Sequence, residues 1–173
     1  MGINSETSLL AALTKNYKGA PEHQTLTRLV GTWEIAGEWH LEPGHATPIS
    51  GHMVNRGILG GHFIESSSFF EGEERSRVIY GYDPEDIRFT AFAISAIAPR
   101  CDLEHGHFDA RTHELKFSCV EHIGAARIPV RFERTIEFLS ADAFEMRITY
   151  PDFEPDKRLG MALCMRRGEM TAR

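Results

Sequence analysis

Arg134 lies in a run where Ile128, Val130, Phe132, Ile136 and Phe138 share its parity, with Pro129, Arg131, Glu133, Thr135 and Glu137 between them. Strict alternation of this kind marks a strand with one face turned to a core. A guanidinium is therefore carried inward on an otherwise apolar face. A buried cation is costly unless it meets a carboxylate, carbonyls or a bound anion. Glu65 and Glu121 are each inward by alternation on their own segments and are the candidate partners. A ligand carboxylate or phosphate, held by the fork of N–H donors, is the alternative. Trp39, six residues after Trp33 and on the same face, is a candidate pocket wall. Tyr80, Tyr82 and Tyr150 can supply the few polar points a small-molecule site needs. Asn55 and Arg56 cannot both face inward, and the parity around Gly60-Gly61 leaves the choice open.

Histidine is the second chemical signal. In Glu104-His105-Gly106-His107-Phe108-Asp109, alternation puts His105, His107 and Asp109 on one strand face. That set could hold a divalent metal if His113 or His122 added a ligand. Cys101 and Leu103 share the face and lend it no support, so exposed strand histidines are the simpler account. Nucleophilic catalysis has no motif: Gly-x-Ser-x-Gly is absent and Cys101, Cys119 and Cys164 stand apart. Gly57-Ile58-Leu59-Gly60-Gly61 opens no helix and reads as a turn, not a phosphate loop. A Tyr, Glu or His held in an apolar interior could still move protons on a small substrate.

These side chains need strands to position them, and the period of the chain supplies them. Residues 1–30 read as a helical lead-in, with Leu9, Leu10 and Leu13 on one stripe and a second turn from His23 to Val30. From Gly31 the period becomes two. Strands are expected over 31–41, 47–58, 62–70, 77–83, 87–98, 101–108, 113–122, 128–138, 144–150 and 158–167. Leu59-Gly60-Gly61, Asp83-Pro84-Glu85-Asp86 and Ser140-Ala141-Asp142 supply turns. About ten strands joined by short links, with no crossover helix, predict an all-β, antiparallel up-and-down barrel over 31–173.

The totals agree with one globular domain. The 173 residues are 42% hydrophobic and 25% charged, with a net charge of -6. No Lys/Arg stripe exists to attract phosphate backbones or anionic lipid, so neither nucleic acid nor a membrane is an expected partner. No stretch has the roughly 18 apolar residues of a membrane span. The N-terminal residues lack a secretory signal pattern, and three widely spaced cysteines suit a reducing cytoplasm. No cofactor is expected, and a homodimer is left open.

Gly31-Thr32-Trp33 after the helical lead-in resembles the Gly-x-Trp opening strand of calycins, the lipocalin and fatty-acid-binding group. Arg56-Gly57-Ile58-Leu59-Gly60-Gly61-His62-Phe63-Ile64 and Tyr80-Gly81-Tyr82-Asp83-Pro84 resemble the bacterial domain of unknown function 1579 family, over about Leu26 to Arg167. The resemblance implies a calycin-like barrel with a central cavity, and it implies no reaction. It further implies that Trp33 plugs one end of the barrel beneath Arg166 or Arg167. Where that family usually carries a Trp and an acidic residue, this chain has Ala93 and Ser95. Smaller inward side chains would enlarge a pocket and bring Ser95 into it. The expectation is a binding module for a small, largely apolar molecule with an acidic group, anchored by Arg134. A proton-transfer enzyme in the same cavity and metal chemistry at His105 and His107 are the alternatives.

Overall fold

The computed structural model describes residues 20–42, 44–96, 100–153 and 159–168. The stripe at Leu9, Leu10 and Leu13 lies outside them. A short helix, α1 (Pro21–Thr27), starts with proline at its first turn, where no backbone N–H is needed. Ten strands follow: β1 (Gly31–Glu42), β2 (His45–Ile58), β3 (Phe63–Phe70), β4 (Glu73–Asp83), β5 (Arg88–Ser95), β6 (Cys101–Asp109), β7 (Glu114–Ile123), β8 (Ile128–Phe138), β9 (Ala143–Thr149) and β10 (Gly160–Arg167). Each pairs antiparallel with the next, and β1 pairs with β10, so the sheet closes into an up-and-down barrel. Closure removes the sheet edges. Among the described residues no helix is long and apolar enough to cross a membrane.

The strand ends differ from the sequence expectation where the backbone of a turn decides them. β4 starts at Glu73, because the turn needs only Glu71 and Gly72, both at positive φ (54° and 81°). The glutamates after them are strand residues paired to Phe70 and Phe69 across a bulge. The β2–β3 link is a 3₁₀ turn over Leu59–Gly61, with Gly60 and Gly61 at φ 74° and 86°, where a Cβ would be strained.

The inward face follows the period of two: Trp33 and Ile35, Met53 and Asn55, Val78 and Tyr80, Phe89, Ala91 and Ala93, Leu115 and Phe117, Phe144 and Met146 are all buried. One end of the barrel is closed by this core and by α1. Trp33 is 1% exposed, donates its indole N–H to Leu29 O at 2.8 Å and meets Phe144 edge-on at 4.7 Å. The Arg167 guanidinium covers it at 4.4 Å, as the resemblance implied for Arg166 or Arg167. It also donates to Asp142 and to the carbonyl of Ala141, pinning β10 across the end. Glycine starts β1 because the backbone there has φ 141°, a conformation residues with a Cβ rarely adopt, and the Arg167 guanidinium lies against it. Asn55 is the inward member of the Asn55/Arg56 choice: it donates to Leu29 O at 2.8 Å, while Arg56 points out and pairs with Glu65.

Candidate functional site

The other half of the barrel carries the buried charge. Arg134, from the middle of β8, is 6% exposed and reaches across the interior to β4 and β6. Its Nη1 donates to the Tyr80 hydroxyl at 3.1 Å and its Nη2 to Glu104 Oε1 at 2.8 Å. Phe132 lies against the guanidinium at 5.6 Å, and Phe117 packs on Tyr80 at 5.6 Å. Glu104 is completely buried. Burial pushes its carboxyl above the ordinary value, against the pull of Arg134. Burial also opposes the charge of Arg134, but Tyr80 and Glu104 hold it firmly protonated. Two atoms of this pair, Arg134 Nε and Glu104 Oε2, are buried without a hydrogen-bond partner. The ion pair is thus single-pronged, and it leaves one donor and one acceptor free in an apolar interior.

A second polar group sits toward the open end, one inward step along β6 and β7. The carboxylate of Glu121, 4% exposed, takes a close charge-assisted bond from Arg100 and a weaker one from the Tyr150 hydroxyl at 3.3 Å. Arg100 also reaches Asp102 at 3.3 Å. Burial raises the carboxyl of Glu121 and pushes the Tyr150 hydroxyl up to about 12. The Cys119 thiol, inward on β7 and within the field of Glu104, Glu121 and Asp102, is pushed up to about 12 by burial and by those carboxylates. It is a packed thiol, not an activated nucleophile. A cleft of about 470 Å³ opens on this group from outside, lined by Arg100, Asp102, Cys119 and Glu121 among others.

The partner of Arg134 corrects the sequence expectation. Glu65 faces outward and binds Arg56 and Arg77, and Glu121 is inward but belongs to Arg100. The partner, Glu104, lies in the same short segment as the two histidines. The alternation that put His105 and His107 on one face puts Asp102, Glu104 and Phe108 on the other. Two acids in phase with a phenylalanine were the available signal. That β6 and β8, with β7 between them, bring these two inward side chains together is a tertiary fact.

Of the other expected site residues, Tyr80 joins Arg134 directly, and Tyr150 belongs to the separate group of Glu121 and Arg100. Tyr82 turns to the closed end, against Phe89 at 5.0 Å and His23 at 6.0 Å. Trp39 is half-buried near the open end of β1, opposite Met161 and Thr47. Ala93 is buried on the inner face, as expected. Ser95 is half-buried at the end of β5, and its hydroxyl reaches Arg75 O at 3.4 Å. His105 is half-buried and His107 exposed on the outer face, opposite Ser118 and Lys116. His113 is in the β6–β7 turn, His122 is at the far end of β7, and Asp109 accepts Arg111 N at 2.9 Å within the turn. Among the described residues no group of three or more His, Cys, Asp or Glu is placed to hold a metal ion.

Residues 18–159 match the model of a family described as a protein of unknown function (DUF1579). No protein of curated function matches the chain.

Proposed function

The chain belongs to the DUF1579 family, and we propose that it is a small-molecule-binding barrel whose ligand has a largely apolar body and one polar head. The observation that carries this reading is the unmatched pair at its centre: Arg134 Nε and Glu104 Oε2, both buried and without partners. A buried donor and a buried acceptor on one ion pair are costly to leave unmet. One hydroxyl, amide or protonated carboxylic acid satisfies both, because each can donate to Glu104 and accept from Arg134. A free carboxylate suits the site less well. Each terminal nitrogen of Arg134 already gives one N–H to Tyr80 or Glu104, and Glu104 would repel a second anion. The acidic group expected from the sequence therefore fits best in its neutral form. Phe132 against the Arg134 guanidinium, Phe117 against Tyr80 and Ala91 opposite Glu104 supply apolar wall beside the head, as small-molecule sites require.

The test is to denature purified protein, extract it and analyse the extract by mass spectrometry. A near-stoichiometric small molecule with one such head group is expected. It should be lost from a Glu104→Leu/Arg134→Met double variant that keeps the barrel by circular dichroism. An empty wild-type extract, or a double variant with unchanged occupancy, overturns the reading.

The raised carboxyls of Glu104 and Glu121 favour a second reading, proton transfer on the bound molecule. A carboxylate tuned toward neutrality can take a proton from an acidic carbon and return it elsewhere, a non-redox isomerisation. Incubating the extracted molecule with protein in D₂O distinguishes the two: carriage leaves it unlabelled, and proton transfer at carbon incorporates deuterium.

A further inference from the structure

The barrel wall is not uniformly zipped. The β6–β7 ladder runs only from Asp109↔Glu114 to His105↔Ser118. Both strands continue past that point, β6 back to Cys101 and β7 on to Ile123, each bonded to its other neighbour: Cys101 to Ile94 of β5, and Ile123 to Ile128 of β8. Continued in the same register, the ladder would set Glu104 opposite Cys119, Leu103 opposite Val120 and Asp102 opposite Glu121. Those pairs are not made, and the cleft of about 470 Å³ occupies their place. The position of the split is specific, because its apex is Glu104, the carboxylate with the unmatched oxygen. Where backbone bonds are missing, a side chain spans the strands. Arg100, about one-third exposed, binds Asp102 of β6 with its Nε and Glu121 of β7 with its Nη2. On the outer lips, Leu103 and Val120 are each 56% exposed. They place apolar surface just outside a polar throat.

We infer that the β6–β7 split is the lateral opening through which small molecules reach Glu104 and Arg134, and that Arg100 is the latch that closes it. This rests on the binding reading for what passes through, but the opening itself can be measured without a ligand. An unlatched split needs no ladder bonds broken, so it is the low-cost local opening of this wall. The lips fit a ligand that leads with its hydrogen-bonding head and draws its apolar body over Leu103 and Val120. A neutral head passes Asp102 and Glu121 more easily than an anion does.

The reporter is Cys119, inward and half-buried on the lining of the split beside the latch. In a Cys101→Ser/Cys164→Ser background it is the sole thiol. Its labelling by methyl methanethiosulfonate is followed by mass spectrometry. Arg100→Gln and Arg100→Met should each speed labelling about 3–5-fold, the size of effect expected when a partly buried ion pair holding a local opening is lost, and both keep Glu121, whose charge itself holds the thiol up. Arg56→Gln breaks an outer pair with Glu65 on β2–β3 and should leave the rate unchanged. Unchanged rates in both latch variants, or an equal rise in the Arg56 control, overturn the inference. A second arm places Leu103→Cys and Val120→Cys in a cysteine-free background and joins them with a short bis-alkylating cross-linker. Nile red should then bind at least ~10-fold more slowly than to the unlinked form, as expected for a blocked conformational gate. Binding at the unlinked rate overturns the lateral route. If Nile red does not bind the wild type, the binding reading fails, while Cys119 labelling still decides the latch.

Discussion

Arg134→Met removes the cation bonded to Glu104 and leaves a fully buried carboxylate with neither oxygen on a charged donor. Breaking a buried pair from one side costs about 3–5 kcal/mol. At about 2–4 °C per kcal/mol for a chain of this size, the melting temperature should fall by roughly 6–20 °C. Glu104→Leu should cost a similar amount, because it strands Arg134 with Tyr80 alone among its present partners. The double variant removes both charges, and it should match the wild type or exceed it by up to about 4 kcal/mol. The two single costs together should then exceed that of the double variant by at least about 6 kcal/mol, measured by urea unfolding. The deficit should also depend on pH. Burial raises the Glu104 carboxyl above its unfolded value, and without Arg134 the rise is larger. A carboxyl raised on folding binds its proton more tightly in the native state. Its favourable contribution is present below the unfolded value and is lost as pH rises through the folded one. The Arg134→Met deficit should therefore grow as pH rises above the ordinary carboxyl range and through the raised folded value. Additive costs, or a deficit that is flat across that range, would refute the view that Arg134 and Glu104 act as one buried pair.

Three further outcomes follow from the same packing. Trp33→Ala should cost about 3–5 kcal/mol in urea unfolding, since it empties a fully buried site and leaves the Leu29 carbonyl to Asn55 alone; Trp39, half-buried near the open end, should be the tryptophan that acrylamide quenches. With its thiol raised from 9.0 to about 12, Cys119 should hold about a thousandfold less thiolate at pH 8 than an ordinary thiol, so iodoacetamide should modify exposed Cys101 well before it. Gly37→Ala should lower stability by about 1–3 kcal/mol, because its new methyl would run into the backbone of Ala162 and Leu163 on β10; a melting temperature unchanged from the wild type would show that β1 and β10 can part there at little cost.

A strand leaves its period in the chain, so much of the barrel is readable from the order of residues. The alternation through Ile128–Phe138 shows which side of β8 is inside and that Arg134 is on it. Gly31-Thr32-Trp33 marks where the barrel starts, and short turns between ten such segments leave antiparallel neighbours as the economical arrangement. Period two says only in or out; it does not say which inward side chains meet. Glu104 and Arg134 are 30 residues apart on non-adjacent strands, and curvature and closure bring them together. Glu65 was misplaced because a polar side chain on a serine-rich strand gives alternation little to work with. The break in the β6–β7 ladder has no signature in composition, since both strands keep their pattern past His105 and Ser118. Residue order thus determines the barrel and its inner face. Which charges pair inside it, and where its wall parts, depend on distances across the lumen that only the closed structure sets.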